Sequence, residues 1–151
     1  MITAEKVGRN LHLTVEGIDE PYVVRPLPGA AGLQITDTYL NSMGGDTIGM
    51  AEALQIAFDG ARENAITGRW EPLPEAEQSN YRRMGRELSQ SEAETVLMPA
   101  FFWQTILGID GVTAYIEGGE GLAGTLKASA ALTSRLGTLA RRTSPSTASA
   151  G

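Results

Sequence analysis

The chain has 151 residues, 42% of them hydrophobic and 20% charged, enough apolar matter for one ordinary domain to bury a core without staples. It contains no cysteine, which excludes disulfides and thiolate metal sites and suits a reducing compartment. The net charge of −6 is unevenly spread: residues 1–120 hold all 18 acids and carry a net −10, while residues 121–151 hold only Lys127, Arg135, Arg141 and Arg142 and carry +4. Four charges with no aromatic residue beyond Tyr115 near them make a poor nucleic-acid site, and the segment reads either as a solvated basic tail beside an acidic body or as one that docks on an acidic surface.

Leu11, Leu13 and Val15 alternate with His12, Thr14 and Glu16, the period-two pattern of a half-buried strand. Gly17 to Glu20 supply turn chemistry before Tyr22-Val23-Val24, so the spacing predicts a β-hairpin over about residues 11–25. Pro21 and Pro26 bracket the second strand and favour an edge position. His12, the only histidine, has no second imidazole or thiol with which to share a metal.

Pro28 to Gly32 reads as a connector, followed by a short helix from Leu33 to Met43 that ends at Gly44-Gly45. Asp46 or Thr47 is placed to cap the next helix. Ala51, Leu54, Phe58, Ala61 and Ala65 recur at three- and four-residue spacing, which predicts an amphipathic helix from Ile48 to about Ile66, stopped by Gly68. Trp70 to Pro74 reads as a stiff connector, and Pro74-Glu75-Ala76-Glu77 as a helix start leading into Tyr81, Met84 and Leu88.

The densest apolar run is Ser91 to Gly124. Ser91 with Glu94 reads as a capping box, and Val96 to Leu107 is apolar on nearly every side of the helix that follows. Phe101, Phe102 and Trp103 occupy consecutive positions about 100° apart, so at least one of them is expected to meet a partner while the others enter the core. Gly108 closes this helix, and Asp110 can cap a short one carrying Val112, Tyr115 and Ile116. Leu126, Ala130, Leu132, Leu136 and Leu139 allow a last helix, after which residues 141–151 have the composition of a flexible tail on a globular domain of residues 1–140.

Gly119, Gly121 and Gly124 satisfy G-x-G-x-x-G, but a helical lead-in and the lack of any acid after Glu120 argue against a dinucleotide site. Thr125 stands where a P-loop requires lysine, so the glycines read as a flexible joint between helices. Paired acids such as Glu92 and Glu94 lie two apart and face away from each other on a helix. With one histidine and no cysteine, neither a Cys-His pair nor an HExxH zinc motif can be assembled. The reading is therefore a non-enzymatic α+β protein, predominantly helical, with an N-terminal hairpin, a bundle-like domain of four to six helices, and no cofactor or metal.

The run PAFFWQTILGIDGVTAYIEGGEGLAG at Pro99 to Gly124, the Ala/Leu-rich helix after it and the terminal SPSTASAG resemble the tail assembly chaperones of long-tailed bacteriophages of actinobacterial hosts. The hairpin LHLTVEGIDEPYVVRP followed by LPGAAGLQI is similar to such proteins as well. The resemblance implies a protein that coats the tape measure protein during tail assembly and leaves as tail tube subunits polymerise. It also implies a longer form made by programmed ribosomal frameshifting, this chain being the short form. Expected partners are the tape measure protein, the frameshifted form, tail tube subunits and further copies of the chain, with no nucleic acid and no membrane. The expected location is the host cytoplasm and not the mature virion. Candidate partner-binding residues are Phe101, Phe102, Trp103, Ile106, Tyr115, Arg135, Arg141 and Arg142. The alternative is a small helical structural adaptor or connector retained in the particle.

Overall fold

The structure is a computed structural model that describes residues 1–143, and residues 144–151 of the expected tail lie outside the described residues. It is α+β and mostly helical, a three-stranded N-terminal sheet followed by six helices.

The alternation of Leu11, Leu13 and Val15 produces β2 (Asn10–Val15), whose three apolar side chains are buried. The expected hairpin is there, with β3 (Tyr22–Val24) burying Tyr22 and Val24, and β3 lies at a sheet edge as its flanking prolines require. A further strand precedes the pair: β1 (Ile2–Val7) runs antiparallel to β2 with Ile2 opposite Val15 and Val7 opposite Asn10, so β2 is central. β1 has a weak signal because only Ile2 is buried along it.

Residues expected to form a connector instead begin α1 (Gly29–Met43), with Pro28 as its N-cap. The fixed φ of Pro28 suits a helix entry, and Ala31 and Gly32 in the first turn are buried. Neither Asp46 nor Thr47 caps α2 (Met50–Asp59). Its N-cap is Gly49 in the left-handed region, and Asp46 Oδ1 instead accepts from the Ile48 amide at 3.1 Å.

The helix expected to reach Ile66 stops at Asp59. Gly60, at φ 106°, turns the chain into a second hairpin, β4 (Ala61–Glu63) paired with β5 (Trp70–Pro72). Asn64 Oδ1 accepts from the amides of Ile66 and Thr67 in the connecting loop, a side-chain turn that outcompetes further helix. Gly68 therefore belongs to the hairpin loop and ends no helix. The buried face of α2 is Ala53, Ile56, Ala57 and Phe58, and Ala51 and Ala65 are exposed.

A 3-10 turn at Glu75–Glu77 leads into α3 (Ser79–Glu87). The Asp59 carboxylate, at the end of α2, accepts from the amides of Asn80 and Tyr81 at 2.8 Å each and so ties α2 to the first turn of α3. Burial pushes the Asp59 pKa above its usual value, against the opposing pull of those two bonds. α4 (Gln90–Trp103) opens on a capping box two residues earlier than expected: Ser89 is the N-cap and Glu92 its partner, in place of Ser91 and Glu94. α5 (Ile109–Glu117) begins after Gly108 with Asp110 already in its first turn, and α6 runs from Gly121 to Thr143. Arg141 and Arg142 are thus helical, beyond the expected domain boundary at residue 140.

α4 is the central element. It touches β2, α2, α5 and α6, which together bury Val96 and Pro99 to Trp103, while Leu97 and Met98 stay half-buried. One apolar cluster links Ile2 on β1, Tyr22 on β3, Phe58 on α2, Phe101 and Phe102 on α4, Tyr115 on α5 and Leu132 on α6. The joint between α5 and α6 is close-packed, contrary to the flexible joint expected from its glycines: a β-carbon at Gly124 would lie 2.3 Å from the Tyr115 carbonyl oxygen. Only glycine allows that approach, and the tight contact explains the residue without any nucleotide.

Candidate partner-binding surface

The eight candidate residues divide into two groups. Phe101 and Phe102 are 0% exposed and Trp103 is 9% exposed. Phe101 and Phe102 pack edge to face at 5.4 Å between ring centroids, and both meet Tyr39 of α1, at 4.9 and 5.6 Å. Tyr39 and Ser129 of α6 share a buried hydroxyl-to-hydroxyl hydrogen bond that pins α1 to α6 above the rings. Of the three aromatics expected to include a partner contact, Phe101 and Phe102 are core and have no surface to offer, while Trp103 borders a surface groove with Lys6, Arg9, Pro26, Gly108 and Ile109. Tyr115 is likewise interior: its hydroxyl accepts from the Gly121 amide at 3.0 Å, and burial pushes its pKa up to about 12.

Ile106, Arg135, Arg141 and Arg142 form the second group, all exposed on α6 or on the link between α4 and α5. Arg135 is held by Asp110 of α5 at 3.3 Å, and Arg141 donates to Thr138 Oγ1 at 3.3 Å. Lys127, Arg141 and Arg142 make no ion pair among the described residues.

Around Ile106 the structure gathers apolar residues that the sequence reading had not grouped. Leu33 on α1 is 61% exposed, Ile106 is 44% and Leu139 on α6 is 41%. With Leu136 they line a groove of about 310 Å³ between α1 and α6, floored by Gly32, Thr36 and Thr105. Further along α6, Leu122 is 73% exposed and Leu126 62%. At 100° per residue, positions 122, 126, 133, 137 and 140 fall within an arc of about 60°, so Leu122, Leu126, Thr133, Gly137 and Ala140 make one uncharged seam along the helix. The signal was legible as the spacing of four, seven, four and three, but the leucines of this helix had been read only as allowing it, and its core face is Gly124, Ala128, Ser129 and Leu132.

A second apolar groove, about 540 Å³, lies between α2, α3 and α4 and is walled by Leu54, Tyr81, Leu88, Leu97 and Met98. Its thioethers and leucines could accept an apolar helix face, but it holds no unpaired basic residue. Among the described residues no group of three or more His, Cys, Asp and Glu is placed to hold a metal, and no helix is long and apolar enough to cross a membrane. His12 sits half-buried on β2 opposite Glu5.

No family model, no curated protein and no solved structure matches this chain.

Proposed function

We propose that the protein is a tail assembly chaperone that binds and covers the tape measure protein of a long-tailed phage. The observation that carries this reading is the surface of α6 and its neighbours: five large apolar side chains, Leu33, Ile106, Leu122, Leu126 and Leu139, each at least 40% exposed, on or beside one long helix. α6 has 23 residues, about 34 Å of rod. An uncharged seam on a rod of that length suits the apolar stripe of another helix, the helix-against-helix mode of recognition. Contiguous exposed apolar surface on an otherwise acidic protein is what a covering protein requires. Many weak contacts along a repeating partner become tight through effective concentration, and remain reversible one at a time. The resemblance of Pro99–Gly124 and the hairpin to tail assembly chaperones supplies the identity of the partner, and with it a longer frameshifted form, release as tail tube subunits polymerise, and action in the host cytoplasm.

The test is co-expression of this chain, with and without its frameshifted form, alongside the tape measure gene, followed by sedimentation of the lysate. The tape measure protein should stay in the supernatant and co-purify with this chain, and Leu122→Ser/Leu126→Ser should send it to the pellet. A tape measure protein that pellets regardless would end the chaperone reading. Recovery of the chain in purified particles would replace it with the structural adaptor.

A further inference from the structure

Charge on α6 is one-sided. Taking the seam of Leu122, Leu126, Thr133, Gly137 and Ala140 as the outward direction, Arg141 lies about 70° and Lys127 about 110° to the same side, 14 residues or about 21 Å apart along the rod. Both are exposed, and neither makes an ion pair among the described residues. The Arg141 side chain folds back along the seam, its Nη1 at 3.6 Å from where a β-carbon on Gly137 would stand. Arg135 and Arg142 lie on the far face of α6, about 170° from the seam, lining a groove against α5 with Ser134 and Thr138. The opposite flank of the seam has no basic residue and faces α1, which presents Leu33 and, one turn later, Asp37.

Two acids that flank α6 are engaged elsewhere. Asp110 is held by Arg135 at 3.3 Å, and Glu120 at the start of α6 accepts from the Ile2 amide at 3.3 Å. The described part of α6 contains no acid at all. In a chain of net charge −6, this helix is a positive rail beside an apolar track.

From this we infer that the occupant of the α6 seam is an amphipathic helix with acidic residues along one flank only. Its apolar stripe lies on Leu122, Leu126 and the small residues at 133, 137 and 140, which allow close approach of the two rods. Its acids lie on the side of Lys127 and Arg141, about two to four turns apart, and its other flank is apolar or uncharged where it passes Leu33. This rests on the proposed chaperone reading and adds to it the polarity and charge of the segment that is covered. One-sided charge also fixes how the partner is oriented: rotated about its own axis, the same helix sets its acids against Asp37 and leaves the rail empty. A uniformly acidic protein without the rail would repel such a segment, so Lys127 and Arg141 let the chain bind an acidic helix that the body of the molecule disfavours.

The experiment uses the full chain and two synthetic four-heptad peptides with the same leucine stripe, one carrying glutamates along a single flank and the other lysines at the same positions. Binding is read by fluorescence anisotropy at low and high salt. The glutamate peptide should bind about tenfold more tightly than the lysine peptide at low salt, and the ratio should shrink as the ionic strength rises. Lys127→Glu/Arg141→Glu should reverse the preference with the helical circular dichroism unchanged, since both side chains are exposed. Leu122→Ser/Leu126→Ser should abolish binding of both peptides. Equal binding of the two peptides, or a preference that survives charge reversal, would overturn the acidic flank while leaving tape-measure solubilisation by the parent chain as a separate reading. A chain that sediments as a dimer, that Leu122→Ser/Leu126→Ser makes monomeric and that takes up neither peptide would overturn it too, and assign the seam to a second copy.

Discussion

Two glycine-to-alanine substitutions, one methyl group each, should change stability in opposite directions. At Gly124 the added carbon would stand 2.3 Å from the Tyr115 carbonyl oxygen, 3.0 Å from Tyr115 Cδ1 and 3.2 Å from the Tyr115 carbonyl carbon. Two of these three atoms belong to the backbone of α5, so no side chain can rotate away, and α5 and α6 must part by about an ångström to restore ordinary contact. Overpacking of this kind costs about 1–3 kcal/mol, and moving α6 also loosens the buried Ala128 and Leu132. Alanine recovers about 1 kcal/mol of helix propensity, leaving a net loss of up to about 2 kcal/mol. In a chain of this size that lowers Tm by up to about 8 °C. Gly85, inside α3, has nothing within 4 Å of the same methyl position, so Gly85→Ala keeps the propensity gain and should raise Tm by about 2–4 °C. Thermal melts and urea titrations of the two variants and the parent measure both. If Gly124→Ala matched the parent, the close helix contact would be wrong, and the reading of these glycines as a joint with slack would stand.

Phe101→Ala should cost about 3–5 kcal/mol, a large share of the roughly 5–15 kcal/mol that holds a domain together, and Phe102→Ala should behave the same way. A folded Phe101→Ala protein with the parent's urea midpoint would reopen the possibility that this ring serves a partner. Tyr22 and Tyr115 are both pushed up to about 12 by burial, Tyr22 with help from its bond to Glu87. Each raised pKa contributes stability that is complete below pH 10 and is lost as the pH rises through about 12, so alkaline titration should show two phenolates appearing late and together with unfolding, and their appearance near 10 in the folded protein would refute the burial argument. Ser89→Ala removes the hydroxyl that accepts from the Glu92 amide, leaves the Ser89 amide donating to Glu92, and should cost about 1 kcal/mol by urea titration, whereas Ser91→Ala should cost little. Removal of residues 144–151, which include no large apolar side chain, should leave Tm within a few degrees, and a large drop would mean that this segment docks on the domain.

The core was largely legible where the pattern was local. Leu11, Leu13 and Val15 announced a strand by alternation, and the apolar circumference of Val96 to Leu107 announced a helix that must be covered on all sides. What covers that helix was not legible, because its neighbours come from β2, α2, α5 and α6, which no local pattern brings together. Propensity also misled where a side chain competes with the helix: Ala61 and Ala65 favour continuing α2, yet Gly60 and the Asn64 turn end it and divert the chain into β4 and β5. Of the candidate site, the basic residues were found by counting charge, which is independent of fold. The aromatic residues were assigned outward because three consecutive positions cannot share one face. That argument is sound for a helix with a single packed side and fails for one at the centre of the molecule. Leu122 was not singled out and Leu126 was given no direction, because only the burial of Gly124 and Ala128 reveals which side of α6 is already occupied.

The division between α4 and α6 follows from what each contributes to the interior. α4 buries Val96, Ala100, Phe101, Phe102 and Trp103, and truncating any of its rings leaves a cavity that the surrounding elements cannot close. α6 buries chiefly Ala128, Ser129 and Leu132, and beyond Leu136 it runs along a groove without filling it. The fold therefore depends heavily on one helix and lightly on the other. An element held by few large contacts belongs to the less stable part of a domain, where local opening costs least. Such an element can carry exposed leucines and an unpaired positive rail without taking them from the core, and a partner helix laid on it would supply the apolar cover that α1 and α5 leave incomplete. The same physics sets the direction of the coupling: whatever occupies the α6 seam stabilises its C-terminal turns most, and the aromatic centre at Phe101 and Phe102 least.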